Sequence, residues 1–106
     1  MEQKGQYGKQ AMGQIAPKLA ALTDDVLFGD IWERKELSKR DRSLITVAAL
    51  VSMYRSEQLP FHLERALENG VKHEELEELM THLAFYAGWP AAHSALMLLS
   101  KRNPME

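Results

Sequence analysis

Cysteine is absent from the 106 residues. That excludes a disulfide scaffold, a structural zinc site built on thiolates and any thiol nucleophile. Glycine and proline are scarce, at 6 and 4 residues, and fall where helices would start or stop. No window alternates apolar and polar residues for long enough to suggest a sheet. Neither sign of charge dominates: 13 Lys and Arg stand against 15 Asp and Glu, for a formal net charge of −2. A nucleic-acid partner is therefore not expected, nor a polybasic membrane surface. There is no apolar run of about 18 residues and no basic-then-apolar leader pattern. The expectation is a soluble, cytoplasmic protein.

What remains is rich in Ala, Leu, Glu, Lys and Met, all good helix formers. The hydrophobic content of 45% and charged content of 26% suit a folded chain rather than a disordered one. The length allows one domain, 1–106. The pattern predicts an all-α bundle of about five to six helices. Residues from about Gln3 to Ile15 are weakly helical, diluted by Gly5, Gly8 and Gly13. Pro17 opens a helix with apolar positions Leu19, Leu22, Val26 and Leu27, and Gly29-Asp30 breaks it. Ile31-Trp32 reads as an apolar pair in a loop. Helices are then expected over Lys39–Tyr54, Pro60–Asn69, His73–Ala87 and Pro90–Lys101. Ser38 to Asp41 fits a capping box, with Asp replacing the usual Glu. Leu44 to Met53 holds no charge, and a helix apolar around most of its circumference needs cover on most sides. So short a chain has little left to supply it, which predicts a homo-oligomer.

Four histidines are the candidates for chemistry. His62 lies one turn into its helix, with Arg55, Glu57 and Gln58 within the preceding seven residues. A cation and a carboxylate near an imidazole can tune it as an acid or base; the alternative is a histidine bonded to backbone at a helix junction. His73, His82 and His93 form no His-x-x-x-His pair and no HExxH motif, so no metal site is expected. Glu74 to Glu78 suits the positive end of its helix. Tyr86 and Trp89 line either a pocket or the core. Arg40, Asp41 and Arg42 either reach a ligand carboxylate or cap and pair at the surface.

The order of motifs carries more than any one of them. Phe28-Gly29-Asp30-Ile31-Trp32-Glu33-Arg34 precedes Leu37-Ser38-Lys39-Arg40-Asp41-Arg42-Ser43-Leu44. Glu57-Gln58-Leu59-Pro60-Phe61-His62-Leu63 and Ala66-Leu67-Glu68-Asn69-Gly70-Val71 follow. The series closes with His82-Leu83-Ala84-Phe85-Tyr86-Ala87-Gly88-Trp89-Pro90-Ala91-Ala92. Over about residues 25–102 this resembles the carboxymuconolactone decarboxylase family of the alkylhydroperoxidase D-like superfamily. The resemblance implies an all-helical fold assembled as trimers or hexamers, here a trimer of dimers. The peroxidase branch carries Cys-x-x-Cys-x-x-x-His; counting back from His62, its cysteine positions hold Arg55 and Gln58. The decarboxylase branch keeps only the histidine, as this chain does. Where that branch has a basic residue after the His-Leu pair, this chain has Glu64.

The resemblance implies cofactor-free decarboxylation of a small acidic lactone in aromatic-compound degradation. His62 would supply the proton and Glu57 would orient it. Arg42 or Arg55 would hold an oxyanion or a second carboxylate, with Gln58, Tyr86 and Trp89 completing the substrate site. The competing readings are a non-catalytic oligomeric binder of an acidic metabolite or partner, and a cysteine-less relative of the peroxidase branch.

Overall fold

The computed structural model describes residues 6–102. Six α-helices run in order: α1 Tyr7–Met12, α2 Pro17–Leu22, α3 Lys39–Ser52, α4 Leu59–Glu68, α5 His73–Ala87 and α6 Trp89–Arg102. A π-helical turn, Thr23–Phe28, continues α2, and a 3₁₀ turn follows at Ile31–Glu33. The described residues contain no strand, so the fold is all-α as the composition predicts. Among them, no helix is long and apolar enough to cross a membrane. The chain divides into two compact units, Met1–Lys39 and Arg40–Glu106.

In the first unit the expected helix runs only from Tyr7, and Gln3 to Gly5 lie outside the described residues. Pro17 occupies the first turn of α2, where its missing N–H costs nothing. Thr23 donates its hydroxyl to the Leu19 carbonyl at 2.8 Å as the π turn begins. The buried column is Ala20, Asp24 and Phe28, continued by Trp32. Leu19, Leu22, Val26 and Leu27, the positions expected to face inward, are instead 41–52% exposed. The Ile31-Trp32 pair forms a helical turn rather than a loop. Its tryptophan stacks at a tilt on Phe28, 6.2 Å between ring centroids, and Tyr7 meets Phe28 edge-on at 5.7 Å.

The second unit has one core. Val47 and Val51 of α3 meet Leu59, Leu63 and Ala66 of α4, Leu76 and Met80 of α5, and Ala95 and Leu99 of α6. Each helix contributes residues four apart, with a further step of three in α4, the inward stripe of an amphipathic helix. Each fully buried leucine or methionine is worth about 1.5–3 kcal/mol. Gly70, at φ 98°, ends α4, with Val71 N donating to the Ala66 carbonyl at 2.9 Å. Val71 itself drops into the core. A single residue, Gly88 at φ 107°, joins α5 to α6. Ala91, Ala92 and Ala95 are buried, and side chains this small let the neighbouring helix approach closely. Polar links also tie the helices together. Asn69 Nδ2 donates to the buried Ser43 Oγ at 3.0 Å, and Arg40 Nη2 pairs with Glu75 Oε2. Glu75 also accepts from Lys72 N at 2.9 Å at the start of α5. That backbone bond first, and then Arg40, hold its carboxyl below the usual range.

Within α3 the uncharged stretch is not buried on all sides. Val47 and Val51 face the core, while Ile45 and, just past the helix end, Met53 are each 55% exposed.

Candidate active site

The helix that carries His62 is positioned by how α3 stops. Tyr54 N donates to the Val51 carbonyl at 3.1 Å, and Arg55 N to the Leu50 carbonyl at 2.9 Å. Together these two bonds make a Schellman end, which places Tyr54 in the left-handed region at φ 61°. The chain reverses through residues 55–58, and Leu59 N returns to the Arg55 carbonyl at 3.2 Å. Pro60 then sits in the first turn of α4. Leu59, Leu63 and Ala66 take the core face. That choice sets His62 and Arg65, three residues apart, together on one flank of α4.

Both are half-buried, whereas Pro60 and Glu64 are exposed. The Phe61 ring lies edge-on to the His62 imidazole, centroids 4.9 Å apart, and the Arg65 guanidinium sits over the Phe61 ring at 5.6 Å. The Nδ1 atom of His62 is buried. Burial first, and the Arg65 charge second, push the imidazole below its usual range. At neutral pH the ring is therefore neutral, and an arriving anion beside it favours protonation. Arg65 is the residue that reading the sequence passed over; its signal was the three-residue step from His62.

Arg55, Glu57 and Gln58 lie exposed on the joint that leads into α4. Arg42 is half-buried on α3 with its Nε covered. Tyr86 and Trp89 are 78% and 65% exposed, at the end of α5 and the start of α6. Tyr86 stacks on His82, with centroids 5.0 Å apart and the rings 23° from parallel; Trp89 meets Phe85 edge-on at 5.4 Å. Trp89 lines a cleft of about 150 Å³ with Met80, Phe85 and His93; a wider groove of about 420 Å³ runs past Arg40, Leu44, Leu79 and His82. His62 lines neither. Among the described residues no three His, Asp or Glu side chains converge to hold a metal ion.

The described residues thus form an all-helical core that presents a half-buried histidine beside an arginine. Residues 17–101 match the carboxymuconolactone decarboxylase family, and the chain belongs to it. Over 69 residues, 65% of the chain, it is 41% identical to a 4-carboxymuconolactone decarboxylase of Acinetobacter baylyi. Over 80 residues, 76% of the chain, it is 31% identical to a nitrosuccinic acid decarboxylase of Metarhizium robertsii. A third relative, 26% identical over 85% of the chain and 69% of its own length, is an uncharacterized 15.0 kDa protein of Paracoccus denitrificans. The chain spans about half the length of the first two, 52% and 56%.

Proposed function

We propose that this chain is a decarboxylase of a small unsaturated lactone acid, with His62 as proton donor in a pocket completed at a subunit interface. The half-buried imidazole of α4, flanked by Arg65, carries the reading. Two relatives bear the names of decarboxylases, one of 4-carboxymuconolactone and one of nitrosuccinic acid. Both compounds hold their own electron sink, a conjugated carbonyl in one and a nitro group in the other, so the chemistry requires no cofactor.

The C–CO₂ bond breaks and its electron pair passes through the conjugated system to the lactone carbonyl oxygen, leaving a dienolate. Catalysis depends on stabilising that charge more than the starting carboxylate. An arginine that gripped the departing carboxylate would hold back the reaction. Arg55 or Arg42 therefore serves the lactone oxygen or a remaining carboxylate. The imidazolium of His62 then gives its proton to carbon and recovers one from solvent. Glu57 has the role of orienting His62, and Gln58, Tyr86 and Trp89 complete the substrate site. Exposed Ile45 and Met53 support assembly as a homo-oligomer, read as a trimer of dimers, since they leave apolar surface for a second copy to cover. The setting is cytoplasmic breakdown of aromatic compounds.

The test is His62→Ala assayed on 4-carboxymuconolactone. Loss of a general acid costs about 10²–10⁴-fold in rate, with the oligomer intact. Full activity, or an unfolded variant, assigns the histidine to structure and ends the mechanism.

A further inference from the structure

Tyr54 is the one residue other than glycine at positive φ among those described, at 61°. A side chain at such an αL position crowds its own backbone, and glycine takes the place without that penalty. The same ending recurs at α4, where Gly70 occupies it, closed by matching bonds from Gly70 N and Val71 N. The geometry at the end of α3 thus asks for glycine and holds tyrosine. The fold gets little in return: the tyrosine is 59% exposed and absent from the core. Its one side-chain bond is a 3.3 Å contact between its hydroxyl and Ser94 Oγ of α6, on the surface. That contact gives the hydroxyl one polar neighbour, and the left-handed backbone sets the direction in which the Cα–Cβ bond leaves the chain. The result is an exposed aromatic face directly before Arg55. Strain kept where the fold gains so little points to use of the side chain outside the core.

We propose that Tyr54 is a specificity residue that packs its ring against the planar unsaturated ring of the substrate, next to the arginine that takes the substrate's charge. This rests on the decarboxylase reading of the same site. An exposed aromatic ring beside the charge-binding arginine favours a flat conjugated lactone over an open-chain acid of equal charge, because stacking rewards planar area. Arg55 supplies attraction to either acid; Tyr54 separates them.

The experiment compares wild type, Tyr54→Gly and Tyr54→Phe on two acids, 4-carboxymuconolactone and open-chain nitrosuccinic acid. In Tyr54→Gly, relief of the backbone raises Tm by about 4 °C. The preference for the ring acid, taken as the ratio of kcat/KM values, falls about three- to tenfold, chiefly through KM. Tyr54→Phe keeps the preference. Sedimentation finds the same oligomer in all three. An unmoved ratio overturns the proposal, as does a changed oligomer in Tyr54→Gly, which would assign the ring to a contact between copies. If wild type turns over neither acid, the decarboxylase reading fails by itself. Calorimetric dissociation constants for the same acids then decide the matter. A three- to tenfold weaker hold on the ring acid alone in Tyr54→Gly upholds Tyr54, and no binding of either acid ends both readings.

Discussion

Replacing Asp24 by alanine should release α1 from the first unit. Gln6 precedes that helix and offers its first turn no side-chain cap. The work falls to Asp24, whose carboxylate accepts from Gly8 N at 2.6 Å and Lys9 N at 3.0 Å, from more than a dozen residues away. Hydrogen bonds to a charged group contribute about 1.5–3 kcal/mol each. Losing two, with the Gly8 amide left buried, costs the unit about 3 kcal/mol or more. A six-residue helix has no independent stability to absorb that loss. Amide exchange at Gly8 and Lys9 should quicken by about 10² or more. Asp24→Asn retains one acceptor oxygen and should lose about half as much. Gly8→Ala attacks the same contact from the other side, since a Cβ there would lie 2.5 Å from the Ala20 carbonyl oxygen and 2.8 Å from Thr23 Cβ. Exchange at Gly8 and Lys9 in Asp24→Ala within about threefold of wild type would refute this reasoning.

The His62 ring protons should titrate with a midpoint below the ordinary 6.5, and Arg65→Gln should move it only part of the way back, because burial is the larger cause. The unfolded chain takes up that proton first as pH falls. Stability therefore declines from about 6.5 down to the lowered midpoint and then levels off, and His62 adds no slope above pH ~7. The rate with a lactone acid should climb over the same descent, and a midpoint at or above 6.5 in the free protein would contradict both. Ile45→Arg places a charge on the exposed apolar face of α3 and should break the assembly. Sedimentation of wild type at micromolar concentration should show no stable monomer, and a folded 12.1 kDa species would count against the oligomer.

Helices bounded by local chemistry were legible in the sequence. His73–Ala87 is α5 as expected, and α4 and α6 differ from expectation by one residue at each end. Pro60, Gly70 and Gly88 punctuate them, and punctuation of this kind depends on local backbone chemistry rather than on tertiary packing. The expected end of α3 at Tyr54 overshot to the left-handed residue itself, because nothing in a tyrosine announces that conformation. The first unit misled for another reason. Apolar spacing assumes a regular α-helix, but a π turn shifts the faces, and the buried column includes Asp24, which is drawn inward by two amides rather than by hydrophobicity. In the candidate site, His62 was legible from its neighbours in sequence. Arg65 stands one turn after the histidine, where only the helical period, not proximity in sequence, brings it to the same flank. Tyr86 and Trp89 are expected to serve either pocket or core; Tyr86 stacks on His82 one turn earlier in α5, while Trp89 meets Phe85 across the α5–α6 joint and lines the small cleft.

The Asn69–Ser43 bond bears on the uniqueness of the packing more than on its strength. Valine, leucine and alanine surfaces attract one another without direction, so α4 could rest against α3 in neighbouring settings at little difference in area. Ser43, 1% exposed, permits only one of them. Slide α4 by a turn and a buried hydroxyl loses its donor, a penalty of about 1–3 kcal/mol. That is enough to empty the alternatives without adding much to the total stability. The helix indexed in this way is the one that bears His62, so an amide at its far end joins the core face in setting where the imidazole stands.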